Sequence, residues 1–305
     1  MRIVIRESGG LGNQLFQYAA LRYYAKRYGA EMHIAVDPSW NATSHGYPRP
    51  CLLQHFSIPV PMKERPLSDR IVAPVRPWLH AASAPFRKVL GIQVFNEQEA
   101  DRYCFLRDLP LEPGVRTLYL WGYFQNHAMV EEVAGELRLD LTFREPPRGK
   151  TLEVMQQIGR SKTPISLHVR RGDSTIPVEG KVVLQKEYYA NAIALIKERF
   201  VDPTFFVFSD DIPFVKQNLG LDPGTVFVDH NGTFAAHEDL RLMSSCQHHI
   251  IANSTFSWWG AWLNPRPDKV VIAPRRWFLG IDNYHPNLFA SDWILDDFVS
   301  APTFA

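Results

Sequence analysis

The chain contains 305 residues, which is enough for one large domain or two smaller ones. Its net charge of +1 and hydrophobic content of 46% are ordinary for a globular protein and exclude general electrostatic attraction to nucleic acid or an acidic membrane. No run reaches the roughly 18 apolar residues of a membrane span, and no signal peptide precedes the first predicted strand. Three widely spaced cysteines, Cys51, Cys104 and Cys246, fit a reducing compartment, so we expect a cytoplasmic protein.

The amino-terminal half begins with a predicted strand–helix–strand unit. Residues 2–6 have the pattern of a strand, and the Gly-rich segment 7–14 is predicted to turn the chain. Apolar residues then recur with the helical period over 15–24, and Gly29 is a predicted helix stop. A second strand over 31–36 completes a βαβ unit.

The Gly-rich turn is a candidate ligand loop. Backbone amides at Gly10 and Gly12 and the side chains of Asn13 and Gln14 can face a phosphate or a sugar. Glycines often serve only to turn a chain, however, and the segment lacks the full GxGxxG spacing. The interpretation therefore depends on the rest of the sequence.

The remainder of this half is less regular. Residues 48–90 are proline-rich and are predicted to form surface excursions and short helices. A strand is predicted over 118–125 and a helix over 131–139. Residues 144–150 have the composition of a linker, which predicts an amino-terminal domain over 1–148 and a carboxy-terminal domain over 149–305.

Beyond the linker, strands and helices alternate. This alternation is typical of a parallel sheet with helices on both faces, and hence of an α/β fold. The predicted strands are 165–170, 204–208, 225–228, 248–252 and 269–272, and the predicted helices are 186–199, 212–218, 237–246 and 255–263.

The most informative segment runs from His168 to Asp173 and follows a predicted strand. Ligands of α/β sheets bind just beyond the carboxyl ends of strands, and Arg170 and Arg171 offer planar cationic groups suited to phosphate oxygens. Because neighbouring side chains of a strand point to opposite faces, only one arginine is expected to reach a ligand fully. A surface turn with solvated charges is the alternative interpretation.

Two further segments place polar residues at predicted strand ends. An apolar run ends in Ser209, Asp210 and Asp211, and another ends in Asn253, Ser254 and Thr255 before a predicted helix. Ser254 or Thr255 is a predicted N-cap. The amino terminus of that helix is expected to attract anions through its free backbone N–H groups.

Taken together, these motifs resemble glycosyltransferase family 11, the bacterial α-1,2-fucosyltransferases. The resemblance is carried by Gly9–Ala19, His168–Asp173, Phe208–Asp211 and Cys246–Leu263, and it spans about residues 9–263. It implies a GT-B-like fold of two facing Rossmann-like domains with parallel sheets and an inter-domain cleft, the first on the acceptor side and the second binding GDP-sugar. It also implies inverting transfer of L-fucose from GDP-β-L-fucose to O2 of a terminal galactoside, without a metal.

The resemblance and the strand-end chemistry together suggest donor contacts. Arg170 matches the arginine of the family motif and is the first candidate to neutralise charge on the leaving phosphate, which makes it catalytic as well as donor-binding. Arg171 is the second, either on the phosphate or in a structural ion pair, and His168 either binds phosphate or braces the loop. Further candidate contacts are the Ser254 and Thr255 hydroxyls and amides, Asn253, which we expect mainly to hold the turn, and Asn13 and Gln14.

Guanine and the acceptor hydroxyl each require a further group. A carboxylate can accept both N–H groups on the guanine edge, and Asp210, Asp211 and Asp229 are candidates, with helix capping or a surface pair as the alternative. Asp173 is the leading candidate for general base and Glu179 the second. Asp173 as a loop brace, or transfer without a strong base, remains open.

Other functions and partners are constrained less tightly. Asp210 and Asp211 are the segment most similar to a metal-binding motif, but no clear DxD follows a strand, so we expect no metal. We also expect no cofactor, because GDP-fucose is a substrate of the reaction. The expected acceptor is a galactose-terminated oligosaccharide or a lipid-linked glycan, and the expected role is in glycan or O-antigen synthesis. Because a lipid-linked acceptor would lie at the membrane, loose attachment of the protein to the inner membrane face stays open. Alternatives are a transferase for another GDP-sugar and a non-catalytic carbohydrate-binding protein. Phosphoryl transfer is disfavoured because GxxxxGK[ST] is absent.

Overall fold

The computed structural model describes residues 1–36, 49–60, 62–64, 85, 87–97, 105–171, 184–277 and 286–296. The chain divides into two compact units, Met1–Arg144 and Glu145–Ala305. The sequence analysis placed the division slightly later, after residue 148.

The first unit is built on a parallel sheet of five strands in the order β3-β2-β1-β5-β4. The predicted βαβ unit is confirmed, since α1 connects the parallel neighbours β1 and β2. The elements are β1 (Arg2–Arg6), α1 (Leu11–Tyr28), β2 (Glu31–Val36), β3 (Met62–Glu64), β4 (Ile92–Asn96), β5 (Thr117–Trp121), α2 (His127–Glu132) and α3 (Ala134–Asp140).

Three boundaries in this unit differ from the sequence prediction. Helix α1 begins at Leu11, so the second half of the predicted turn is helical. Strand β5 ends at Trp121, and a sharp bend follows in which Phe124 has a φ of 54°. The helix predicted over 131–139 is two helices separated at Val133. The predicted stop at Gly29 is confirmed by its left-handed backbone, with φ 60°.

The second unit is built on a parallel sheet of six strands in the order β11-β10-β9-β6-β7-β8. The helices predicted over 186–199, 212–218 and 255–263 have the predicted limits. The elements are α4 (Gly149–Arg160), β6 (Thr163–Val169), α5 (Lys186–Arg199), β7 (Pro203–Ser209), α6 (Ile212–Asn218), β8 (Val226–Val228), α7 (Ala236–Ser245), β9 (His248–Ile250), α8 (Thr255–Leu263), β10 (Val271–Pro274) and β11 (Ile294–Asp296).

Helices cover both faces of this sheet, as the alternation predicted. Phe205 and Val207 of β7 pack in the cluster that includes α5 and α6, whereas Phe206 and Phe208 pack in the cluster that includes α4 and α7. Successive residues of a strand point to opposite faces, so a strand covered on both sides must be apolar throughout. This explains the unbroken run of phenylalanine and valine in β7.

The sequence analysis missed four elements, α4 and the strands β3, β4 and β11. Helix α4 lies partly in the predicted linker and buries only Thr151, Val154 and Ile158 of its twelve residues, so its apolar pattern is sparse. Strands β3 and β11 have three residues each, too few to show a period of two. None of the described helices is both long enough and apolar enough to cross a membrane.

The strand order of the second unit locates a ligand site. Counting β6 as the first strand, the order is 3-2-1-4-5-6, the doubly wound arrangement of dinucleotide-binding domains. The chain reverses direction across the sheet between β6 and β9, and ligands of such sheets bind outside the carboxyl ends of the strands at that switch point. The segments after β6 and β9 therefore hold the leading candidates for a site.

Trp258 tests whether the tryptophans of α8 pack the core. Its side chain is fully buried and its Nε1 donates a hydrogen bond of 2.6 Å to the Leu288 carbonyl oxygen. We expect Trp258→Ala to lower the free energy of unfolding by about 3–5 kcal/mol, measured by denaturant titration. Val201→Ala, at an exposed position, should change it little. Unchanged stability in Trp258→Ala would contradict the packing role.

Candidate functional site

Arg170 and Ser254 meet at the switch point. Arg170 directly follows β6, and Ser254 lies at the turn between β9 and α8. The Nη1 of Arg170 donates a hydrogen bond of 3.2 Å to Oγ of the buried Ser254. This Arg170–Ser254 pair fixes a permanent positive charge at the sheet edge where ligands bind.

The start of α8 lies beside this pair. Ser254 is at the predicted N-cap position, with an extended backbone at φ −141° and ψ 123°. The predicted N-cap is thus confirmed at Ser254, although its side chain makes no capping hydrogen bond and its hydroxyl accepts from Arg170. Asn253 donates to the Trp277 carbonyl oxygen at 3.3 Å, which holds the turn. The first-turn N–H groups of α8, from Thr255 onward, give this edge a partial positive charge.

His168 is buried beneath Arg170 and stays neutral. Burial, followed by the positive charge of Arg170, lowers the pKa of His168 to about 3. Its ring centroid lies 5.9 Å from that of Phe256 at the start of α8. Among the described residues its Nδ1 has no hydrogen-bond partner. A neutral imidazole contributes no charge here, so Arg170 carries the electrostatics of the strand end.

Arg171 faces a different neighbour. Its guanidinium carbon lies 3.7 Å from the centroid of the Phe214 ring, and its Nε lies 3.7 Å from Oδ2 of Asp211. Its backbone N–H donates to Oδ1 of Asp210 at 2.7 Å. This is the structural alternative considered for Arg171, and it agrees with the expected alternation of neighbouring side chains.

The acidic candidates have local structural roles. Asp211 is the N-cap of α6 and accepts a hydrogen bond of 3.0 Å from the Phe214 N–H. Oδ1 of Asp210 accepts a hydrogen bond from the backbone N–H of Arg171. Asp229 is exposed after β8. Within the described ranges no group of three His, Cys, Asp or Glu residues is placed to hold a metal ion. Metal independence and guanine recognition by these acids stay predictions.

The base candidates Asp173 and Glu179 lie outside the described residues, as does Gly172 of the motif. Their assignment therefore rests on the sequence alone.

In the first unit, Gln14 has a structural role. Its fully buried amide donates to the carbonyl oxygens of Gly9 and Pro50, at 3.0 and 2.9 Å, and accepts from the Leu52 N–H at 3.0 Å. These hydrogen bonds tie α1 to the segment that carries Pro50, and the ligand contact of Gln14 stays a prediction. Gly12 is also buried, inside the first turn of α1.

Gly10 and Asn13 lie at the carboxyl edge of the first sheet. A Cβ on Gly10 would lie 3.1 Å from Nη1 of Arg49, so glycine allows that guanidinium to approach the backbone. Oδ1 of Asn13 accepts a hydrogen bond of 3.1 Å from Nε2 of Gln125, which follows β5. Arg49 and Gln125 were missed because no sequence motif connects them to the Gly-rich turn.

The second unit also holds a polar cluster that the sequence did not reveal. Asp239 in α7 accepts a hydrogen bond of 2.8 Å from Nδ2 of Asn231. Burial raises the pKa of Asp239 to about 7, and the hydrogen bond from Asn231 opposes that rise. Two consecutive acids in the first turn of a helix, here Glu238 and Asp239, are common on surfaces, so no pattern marked this carboxyl.

Sequence comparison shows which proteins this chain is similar to. The profile of glycosyl transferase family 11 matches residues 52–294. The O-antigen biosynthesis glycosyltransferase WbnK of Escherichia coli is 31% identical, covering 94% of this chain and 98% of its own length. An α-1,2-colitosyltransferase of Escherichia coli is 30% identical over 90% of this chain and 92% of its own. Galactoside α-(1,2)-fucosyltransferase 1 of Saimiri boliviensis boliviensis is 27% identical over 88% of this chain and 67% of its own length.

Solved structures show the fold. NodZ α-1,6-fucosyltransferase from Bradyrhizobium, co-crystallised with GDP, has a TM-score of 0.52 at 17% identity, covering 85% of this chain and 91% of its own. A mutant of Arabidopsis thaliana FUT1 in complex with GDP has a TM-score of 0.52 at 12% identity, and the match covers 88% of this chain and 69% of the FUT1 chain. With the two parallel sheets described above, this likeness shows an α/β, GT-B-like fold.

Proposed function

The chain belongs to glycosyltransferase family 11, and on that premise we propose that it transfers L-fucose from GDP-β-L-fucose to O2 of a terminal galactoside. The observation that carries the proposal is the Arg170–Ser254 pair at the switch point of the second sheet. In this proposal the second unit binds the donor and the first unit contributes to acceptor binding.

Bond cleavage at the sugar carbon leaves negative charge on the β-phosphate. A guanidinium held at the strand end and the N–H groups at the start of α8 can stabilise that charge before it forms, which lowers the barrier more than groups that must reorient. The buried hydroxyl of Ser254 restrains Arg170 without neutralising it. The proposal therefore assigns leaving-group stabilisation to Arg170 and α8, with no metal.

The linkage is supported by the relatives' names. The colitosyltransferase and the mammalian fucosyltransferase are both described as α-1,2 enzymes, although their sugars differ. Inversion of the anomeric carbon requires the acceptor hydroxyl to attack from the face opposite GDP. Asp173 stays our leading candidate for the base that removes the hydroxyl proton, Glu179 is the second, and transfer without a strong base is the third possibility.

Colitosyl transfer is the second candidate function, favoured by the 30% identity to the colitosyltransferase. Colitose is L-fucose without its 3-hydroxyl group. A site that hydrogen-bonds this hydroxyl would reject the deoxy sugar by roughly 10⁴-fold or more, because its own polar group would be left unpaired, whereas an apolar site would discriminate by only about 10²-fold or less.

A donor screen tests the proposed function. Purified protein is incubated with lactose and, separately, with GDP-fucose, GDP-colitose, GDP-mannose and UDP-galactose, and the product linkage is determined by NMR. We expect the highest kcat/KM with GDP-fucose and an α-1,2 linkage. A higher value with GDP-colitose would favour the second candidate. Sugar binding without transfer from any donor would contradict both.

Arg170→Lys tests the leaving-group assignment. Lysine keeps the charge but loses the planar pair of donors, so we expect kcat to fall by about 10²–10³-fold. Arg171→Lys is the matched control, because Arg171 packs on Phe214 and should change stability by about 1 kcal/mol but turnover much less. Single-turnover kinetics on both variants measure the difference. Near-normal turnover in Arg170→Lys would rule out the assignment.

Chelation tests the proposed absence of a metal. We expect saturating EDTA to leave transfer largely intact, because Arg170 and the start of α8 supply the positive charge at the diphosphate. The initial rate is measured before and after dialysis against EDTA. Complete loss that Mg²⁺ or Mn²⁺ restores would return Asp210 and Asp211 to consideration as metal ligands.

A further inference from the structure

Tyr188, in the first turn of α5, is fully buried, and its hydroxyl lies against two strand ends of the second sheet. The hydroxyl donates a hydrogen bond of 2.6 Å to the carbonyl oxygen of Ile251, which directly follows β9. A second carbonyl oxygen, that of Ile272 in β10, lies 3.3 Å from the same hydroxyl. A phenol has only one proton to donate, so the shorter contact, to Ile251, is the principal hydrogen bond.

The hydrogen-bond pattern of the sheet explains why a side chain reaches this carbonyl. Strands β9 and β10 are parallel with Ile250 opposite Ile272, and the Ile251 N–H donates to the Ile272 carbonyl oxygen at 2.9 Å. In a parallel ladder, the carbonyl of the same residue accepts from the N–H two residues further along the neighbouring strand. For Ile251 that position is Pro274, the last residue of β10, which has no N–H.

The Tyr188 hydroxyl therefore replaces the donor that Pro274 cannot supply. Ile251 is buried, so an unpaired carbonyl oxygen here would carry the full cost of its lost hydration. Burial, followed by the nearby Tyr189 and Asp296, raises the pKa of Tyr188 well above its ordinary value. The hydroxyl accordingly keeps its proton and remains a donor at neutral pH.

The carbonyl that Tyr188 holds begins the short segment that leads to the site. Ile251 lies three residues before Ser254, and the Ser254 N–H donates to the Ala252 carbonyl oxygen at 2.8 Å, so the chain turns tightly here. The path of residues 251–254 determines where the Ser254 hydroxyl meets Arg170 and where α8 begins.

The same part of α5 packs against the strand that leads to Arg170. Tyr188 belongs to one buried cluster with Val169, which directly precedes Arg170, and with Ala252. Tyr189 is part of this cluster, and its ring centroid lies 5.0 Å from that of Tyr188 in an edge-to-face contact. The start of α5 thus supports the ends of both strands that carry the Arg170–Ser254 pair.

We infer that Tyr188 is a positioning residue for the proposed transfer. Its hydrogen bond to Ile251 fixes the chain between β9 and α8, and thereby holds Ser254 and the first-turn N–H groups of α8 in place for the diphosphate. The inference rests on the proposed function, since it concerns the same diphosphate site. The alternative is a purely structural role, in which the hydroxyl stabilises the sheet without affecting the site.

Tyr188→Phe separates these roles, because it removes the hydroxyl and keeps the ring. The Ile251 carbonyl then loses its donor and the segment shifts, so we expect the single-turnover rate of transfer from saturating GDP-fucose to fall by roughly 10–100-fold. The KM for lactose should change little, because the displaced groups face the donor. A purely structural role predicts a lower melting temperature but an unchanged rate wherever the variant is folded.

Pro274→Ala provides the rescue, since it restores a backbone N–H opposite the Ile251 carbonyl. In the double variant Tyr188→Phe/Pro274→Ala this N–H can take over the hydrogen bond, so the rate should return close to that of the wild type. Pro274→Ala alone should transfer normally, because Tyr188 still donates. If Tyr188→Phe does not fold, the double variant carries the test by itself.

Tyr24→Phe is the matched control. Tyr24 is also buried and donates to a backbone carbonyl oxygen, that of Leu106 in the first unit, at 2.8 Å. It should lower the melting temperature and leave the transfer rate unchanged. A normal rate in folded Tyr188→Phe, or a low rate in the folded double variant, would overturn the inference while the wild type continued to transfer fucose. Absence of both GDP binding and transfer in the wild type would instead overturn the proposed function.

Discussion

The hydrogen bond between Arg170 and Ser254 joins two segments that are 84 residues apart in sequence, and the proposed chemistry depends on it. It forms because β6 and β9 are neighbours in the sheet, so that the residues following each strand emerge at the same edge. That adjacency follows in turn from the doubly wound strand order. A guanidinium, a buried hydroxyl and a helix amino terminus are thus brought together by topology rather than by proximity in the chain.

Neighbouring residues of the same motif have different roles for the same geometric reason. Arg170 points toward the switch point, whereas Arg171 packs on Phe214 and pairs with Asp211. Burial acts on His168 and keeps it neutral, so among the described residues of the motif we assign the charge at the switch point to Arg170. The Gly-rich segment of the first unit shows the same division, since Gln14 is enclosed while Asn13 reaches Gln125.

The sequence predicted the elements with a clear periodic pattern and the site residues that belong to a recognisable motif. The helices over 186–199, 212–218 and 255–263 have the limits that the sequence predicted, and the last two follow N-cap residues, Asp211 and Ser254. Helix α4 was missed because it buries only three residues, and β3 and β11 because they are too short to show alternation. The hydrogen bond between Asn231 and Asp239 was missed for a different reason: Asn231 follows β8 and Asp239 lies in α7, and only the fold brings the two side chains together.

A crystal structure of the protein with GDP tests the central claim most directly. The account predicts that an oxygen of the β-phosphate lies within hydrogen-bond distance of the Arg170 guanidinium, with the diphosphate facing the first-turn amides of α8 and with Ser254 still accepting from Arg170. A diphosphate bound at another edge of the second sheet, or bound there without contact to Arg170, would contradict it.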